Sequence, residues 1–235
     1  MIRTPFPRSA LCALTCLVLS ACSPAPAPVP ADPGTGTAQP VVEIMADWPY
    51  YGGLDAVIAR SDAVVTVTFL SSTSTVVYPD DIGDDPVANP QAGLDRSTLG
   101  AEDRARLGVP TTVSLVRVDA CLRGDLRAGD TIQVVQTGGV RDGVMYRERA
   151  TTLLGEASSA HLVLVLNKGL DGATYLTVDP VLGVLAKSGD ALVYPKPYLV
   201  DEASLRVSSL AQLTDQVRQA PPVGQATDTA RRQPS

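Results

Sequence analysis

Apolar and β-branched residues recur along the middle of this chain in short runs, and their spacing predicts strands more often than helices. Residues 63–70 (Ala-Val-Val-Thr-Val-Thr-Phe-Leu) are mostly apolar and β-branched. Residues 111–122 alternate in their middle, where Val116 and Val118 are set against Arg117 and Asp119. Residues 131–136 alternate too and stop at Gly138-Gly139. After His161 the chain is apolar without a break to Leu166, the pattern of a strand buried on both faces. Residues 175–178, 184–187 and 191–194 predict shorter strands. Ser188-Gly189-Asp190 supplies the turn of a terminal hairpin, because glycine reaches the positive φ such turns need.

Helical periodicity is confined to three places. Residues 54–60 put Leu54, Val57 and Ile58 on one side, about two turns just ahead of the first long strand. Residues 98–107 predict a polar helix inside an inserted segment. Ser209-Leu210-Ala211-Gln212 fits a capping box, and Leu210, Leu213 and Val217 follow at helical spacing. That apolar stripe is expected to dock on a barrel or a sheet edge. Short strands, Gly-rich turns and a small helix at each end predict a mainly β fold, a small OB-like antiparallel β-barrel with short flanking helices. No longer repeat suggests a solenoid or propeller.

The ends of the chain read differently. Arg3 and Arg8 form a positive n-region, and apolar residues 10–19 have about the length of a secretory signal. Spanning a bilayer takes roughly 20 apolar residues, more than this run offers. The run closes on Leu19-Ser20-Ala21-Cys22, and here the chain resembles the bacterial lipoprotein signal. The resemblance implies removal of residues 1–21, a diacylglyceryl thioether on Cys22 and acylation, usually with palmitate, of its freed amine. It also implies a place in the bacterial cell envelope, lipid-anchored and extracytoplasmic. Ser23, where no Asp follows the cysteine, implies the outer membrane in a cell with two membranes. The alternative is an ordinary secretory signal with an incidental cysteine. Alternating prolines from Ser23 onward forbid helix and favour extended polyproline II, so residues 22–46 are expected to be a tether. A proline-recognition ligand is the other reading of this stretch. Residues 221–235 are polar, Pro-containing and expected to be disordered. One domain is expected over residues 47–220, with an insertion at 78–108 and a C-terminal helix at 209–220.

Charge narrows the partners. The chain holds 25 acidic and 19 basic residues, a formal net charge of −6, and loses Arg3 and Arg8 with the leader. An acidic protein is repelled by phosphate backbones and by anionic head groups, so no nucleic-acid partner is expected. Attachment to membrane must then come through the lipid at Cys22, leaving an envelope protein or a small ligand as further partners. Cys12 and Cys16 leave with the signal and Cys22 is consumed by lipid, so Cys121 has no intramolecular disulfide partner. Stability must rest on a hydrophobic core.

Three segments in order carry a second resemblance: Asp62-Ala63-Val64-Val65, then Val-x-x-Cys-Leu-Arg-Gly-Asp ending at Asp125, then Gly129-Asp130-Thr131-Ile132. Over residues 54–194 they are similar to the netrin-like and metalloprotease-inhibitor-like group of OB barrels. The shared residues are turn and core residues, so they inform fold far more than function. In the inhibitors a free N-terminal cysteine amine binds the protease's zinc. An acylated Cys22 behind a tether offers only an amide nitrogen, a poor zinc ligand, so the inhibitory role does not carry over.

The candidate chemistry is sparse. Asp80, Asp81, Asp84 and Asp85 surround Gly83 in the insertion, and clustered carboxylates suit a hard cation such as calcium. A solvated acidic loop fits the spacing as well, since the regular calcium-loop pattern is missing. Trp48, Tyr50 and Tyr51 cluster ahead of the first helix, either as a cap on the core or as a sugar-stacking patch. His161 is the only histidine and stands at a strand start, where a structural role is expected, since metal sites usually take several imidazoles or thiolates and a triad needs the base beside Ser or Cys. Strict alternation puts Cys121 on a polar face. A bulge before Leu122 would turn it inward as a small hydrophobe. No Gly-x-Ser-x-Gly, His-Glu-x-x-His, phosphate loop or dinucleotide fingerprint occurs, and no cofactor is expected. The expected role is non-catalytic, binding or envelope scaffolding. The alternative is a metal-dependent hydrolase working through residues 80–85.

Overall fold

Apolar β-branched runs become strands and set the character of the structure, a computed structural model that describes residues 39–78 and 96–222. In chain order these residues form β1 (Val41–Ile44), α1 (Leu54–Arg60), β2 (Ala63–Val77), α2 (Ala101–Arg106), β3 (Val109–Arg123), β4 (Thr131–Thr137), β5 (Gly139–Arg141), β6 (Val144–Glu148), β7 (His161–Lys168), β8 (Thr174–Thr177), β9 (Val184–Ser188), β10 (Ala191–Val193), α3 (Glu202–Leu205) and α4 (Leu210–Gln219). The fold is mainly β, as the hydrophobic pattern predicts. The leader with Cys22, the first part of the expected tether, residues 79–95 of the insertion and the tail from residue 223 lie outside the described residues.

The principal sheet has seven strands in the order β10-β9-β7-β2-β3-β4-β8, and β8 pairs with β7 as well. Strands β7, β2, β3, β4 and β8 therefore form a closed ring of pairings. Every pairing in the ring is antiparallel except β4 with β8, where Val134 lies beside Tyr175 in parallel. One edge of β7 serves two strands. β8 takes its C-terminal end and β9 its N-terminal end, with the Asp179 turn between them. Asp179 Oδ1 accepts from the N–H groups of Val181 (2.8 Å) and Leu182 (2.7 Å), fixing that turn.

Alternation divides the apolar residues into two cores. Val65, Val67, Val116, Val118, Leu162, Leu164 and Leu166 point into the ring with Tyr175 and Leu154. Val64, Val163, Val165 and Leu185 point outward and are covered by Leu54, Val57 and Ile58 of α1 and by Leu213 and Val217 of α4. The continuous apolar run of β7 is thus buried on both faces, as its sequence requires.

Three features depart from the expected layout. Val41–Ile44, inside the stretch expected as tether, forms a strand and pairs in parallel with β6. With β5 it makes a separate three-stranded sheet that the sequence pattern did not announce. β2 runs on past Leu70 through Ser71-Ser72-Thr73-Ser74-Thr75 to Val77, although that stretch is neither apolar nor alternating. β3 mirrors it from Val109 and is itself bonded to β4 over Thr111–Arg117, so the upper half of β2 is an arm held to the ring through β3. Gly138-Gly139 marks a corner where the chain leaves β4 for the small sheet. Both have positive φ (106° and 146°), and a Cβ on Gly139 would lie 2.8 Å from Thr112 Oγ1 and 3.1 Å from the Thr111 carbonyl.

The helices are held by caps. Ser209 Oγ accepts from Gln212 N–H (3.3 Å), and the Gln212 side chain returns to Ser208 N–H (2.9 Å), one residue earlier than a regular capping box. α1 begins after Gly53 and has no local side-chain cap. Its first N–H, on Leu54, instead donates to Ser204 Oγ (3.0 Å) from α3, and that hydroxyl donates to Asp201. Ser204 is buried. Replacing it by alanine leaves the buried Leu54 N–H unpaired, and Ser204→Ala is expected to cost about 1–3 kcal/mol in urea denaturation. The Ser204 hydroxyl and N–H hold the Asp201 carboxyl below its ordinary pKa. A depressed carboxylate stabilises above its unfolded pKa and loses that contribution as pH falls through the folded one. The stability gap between the native chain and Asp201→Asn is therefore expected at neutral pH and should close on acidification.

Candidate functional site

The segment around Cys121 carries the fold resemblance, and its residues are spent on architecture. Register along β2 and β3 slips between Val64/Val65, Thr66/Val67 and Phe69/Ser71, leaving Leu122 and Asp119 of β3 and Leu70 of β2 as extra residues. The slip at Leu122 turns Cys121 toward the ring interior and Leu122 toward the outer core. This is the bulge that alternation alone would miss. Arg123 Nε donates to the Ser61 carbonyl (3.1 Å), just past the end of α1. Gly124, at φ 99°, lies where a Cβ would come 2.6 Å from the Asp62 carbonyl. Asp125 pairs with Lys168 Nζ (3.1 Å), and Asp62 accepts from Lys168 N–H (2.8 Å). The motif thus ties the end of β3 to the start of β2 and the end of β7.

Cys121 is half-buried and donates its thiol to the Arg123 carbonyl (3.0 Å). Burial pushes its pKa up, the opposite of what an activated thiolate needs. Arg123 is pushed down by burial as well, and its Nη2 is enclosed without a hydrogen-bond partner.

The second slip produces a constellation the sequence did not disclose. Asp119 accepts from Thr68 Oγ1 (3.0 and 2.9 Å to its two oxygens), and the same hydroxyl lies 3.2 Å from His161 Nδ1. Arg117 Nε stands 3.8 Å from the carboxylate. Threonine, histidine and aspartate are the residue types of a hydrolytic triad, but their order is wrong. A carboxylate only accepts, so the Thr68 proton is committed to Asp119 and is not available to the imidazole. The His161 side chain is 63% exposed, so nothing excludes water. The group is a hydrogen-bonded row on an open sheet face. No local pattern could have revealed it, because the three residues sit on three strands and one is placed by a bulge.

Trp48, Tyr50 and Tyr51 differ in exposure and in partners. Tyr50 is 94% exposed. Tyr51 packs against the outer core with the Arg60 guanidinium 5.5 Å from its ring centroid. Trp48 is half-buried and its indole N–H is enclosed without a partner. Asp80, Asp81, Asp84 and Asp85 lie outside the described residues. Among the described residues no group of three or more His, Cys, Asp or Glu is placed to hold a metal ion.

A buried polar lock was also missed. Glu148 accepts from Thr151 N–H (2.6 Å) and Oγ1 (2.8 Å), and Lys196 Nζ donates to the carbonyls of Arg149 and Thr151 (2.7 Å each). Gln136 donates to Thr152 O (2.8 Å) and accepts from Leu154 N–H (3.0 Å). These bonds seat Leu154 in the ring core. Their groups face one another, so the lock holds a loop and offers no open ligand position. A groove of about 480 Å³ lies between α1 and α4, with Asp55, Gln216 and Gln219 in its lining.

No protein-family model matches this chain, and no curated protein matches it. The thiol geometry yields a direct check. Peptide-resolved alkylation at neutral pH should modify Cys121 several-fold more slowly in the native chain than in urea. Equal rates would mean that the thiol is neither buried nor bonded.

Proposed function

We propose that this chain is a lipid-anchored extracytoplasmic lipoprotein of the bacterial cell envelope whose domain works without catalysis, as a binding or scaffold module. The observation that carries the reading is Leu19-Ser20-Ala21-Cys22 behind a charged n-region and a short apolar run. The proline-rich residues after Cys22 suit a spacer, and the net negative charge makes a lipid the economical means of attachment. A five-strand ring closed by one parallel pair supports an OB-like barrel as its domain. Support for a non-catalytic role is local. The Cys-Leu-Arg-Gly-Asp residues serve architecture, the thiol is not activated, and the Thr68 proton is already engaged. The partners proposed are the membrane through Cys22 and, on the domain, an envelope protein or a small ligand. No nucleic acid is proposed. The hydrolase reading through residues 80–85 gains no observation in its favour.

Metabolic labelling with a palmitate analogue tests the anchor. The full chain expressed in bacteria should take up label and fractionate with membranes, and Cys22→Ser should lose both. An unlabelled native chain recovered in the soluble fraction would overturn the reading.

A further inference from the structure

β2 is paired on both sides only through its first half. β7 covers it from Ala63 to Thr68, and the Phe69 N–H still donates to the Ala160 carbonyl (2.7 Å). From Leu70 to Val77 its one strand partner among the described residues is β3. β5 crosses the arm at Ser74, whose hydroxyl accepts from Val140 N–H (2.9 Å), and among the described residues no strand pairs with the second edge of β2 there. Residues 70–75 are exposed, Leu70 at 45%.

Unpaired strand edges are usually blunted by charge, proline, bulges or shortness. The other edges of this fold obey that rule. β10 is three residues long and is bridged to Ser209, with Leu192 N–H donating to Ser208 O. β1 is four residues long and carries Glu43. The far end of β3 is broken by the slips at Asp119 and Leu122. The upper half of β2 carries a slip at Leu70, where its pairing with β7 ends, and from Ser71 to Val77 it has none of these devices. Residues 63–79 contain no Asp, Glu, Lys or Arg in a chain that is 19% charged. On an acidic molecule this is a stretch where a second acidic molecule meets no like charge.

Its side chains are also self-complementary. In an antiparallel pairing of this edge with its own copy centred on Thr73, Thr73 faces Thr73, Ser72 faces Ser74 and Ser71 faces Thr75. Hydroxyl meets hydroxyl at each of these positions, a cross-strand combination that stabilises sheets. The ladder ends where the β7 of each copy begins, so nothing already paired has to be displaced. We infer that the chain forms a two-fold dimer by edge-to-edge pairing of β2 over residues 71–75, with a second copy of this chain as its partner. The pairing rests on β2 alone and does not require the lipid anchor.

Cysteine scanning of the purified full chain under copper-phenanthroline oxidation tests it, whether or not the chain is anchored. Opposed residues in such a ladder have Cα atoms about 4.5–5.5 Å apart, within disulfide reach. Thr73→Cys should give a reducible dimer on non-reducing gels, well above the native chain. Thr75→Cys, about 13 Å from its own copy at roughly 3.3 Å per residue, should not. Ser71→Cys with Thr75→Cys should crosslink again. Adding Ser71→Lys and Thr75→Lys to Thr73→Cys sets lysine against lysine at surface positions and should cut the dimer band several-fold. Three results would each overturn the inference: a Thr73→Cys band no stronger than the native chain's, equal crosslinking at residues 73 and 75, or a crosslinked product containing a different protein.

Discussion

β8 is four residues long, and the ring exists only because it bonds on both sides. Its parallel contact with β4 brings Val134 beside Tyr175, and its antiparallel contact with β7 brings Lys168 opposite the same tyrosine. Tyr175 then points into the ring core. The β7–β8 turn is built tightly to allow this. Asp171 Oδ1 accepts from the N–H groups of Ala173 and Thr174 and from the Thr174 hydroxyl, and Gly169 lies where a Cβ would come 2.5 Å from Thr174 Oγ1. Without β8 the sheet would expose the edges of β4 and β7 together with the face that buries Val65, Leu162 and Leu164.

The remaining parts follow from closure. Once the ring is filled, the outward residues of β2, β7 and β9 need a cover, and α1 with α4 provides it. α1 is too short to be stable alone, which gives weight to the cap it borrows from Ser204 across the chain. At the other end the Gly138-Gly139 corner lets β4 turn into a second small sheet while staying bonded to the arm. Thr112 Oγ1 donates to the Gly138 carbonyl (2.7 Å) there. The upper half of β2 is held in this arrangement through β3.

Much of the ring was legible in the sequence because its strands follow period-2 alternation or, for β7, an unbroken apolar run. α1 was read at its observed bounds from Leu54, Val57 and Ile58, and Ser209 marked the start of α4. The rest was illegible for specific reasons. Val41–Ile44 follows a proline-rich stretch and pairs with a strand about a hundred residues away, which no local pattern records. Ser71 to Thr75 is hydroxyl-rich, and its β-branching competes with its turn-like composition. The Thr68, Asp119 and His161 row depends on a register slip, and the Glu148 and Lys196 lock on contacts between distant loops. Of the site candidates, Trp48, Tyr50 and Tyr51 prove to occupy three different environments, while the acidic residues of the insertion are outside the described part of the chain.

The described domain is a closed ring of strands whose Cys-Leu-Arg-Gly-Asp residues hold strand ends together. That view stands on β8 closing the ring. Hydrogen–deuterium exchange on the full chain addresses it most directly. Amides of residues 174–177 should be protected as strongly as those of β7 and should exchange only with global unfolding. Exchange of residues 174–177 at loop-like rates, with β2 and β7 still protected, would show an open sheet and contradict the account.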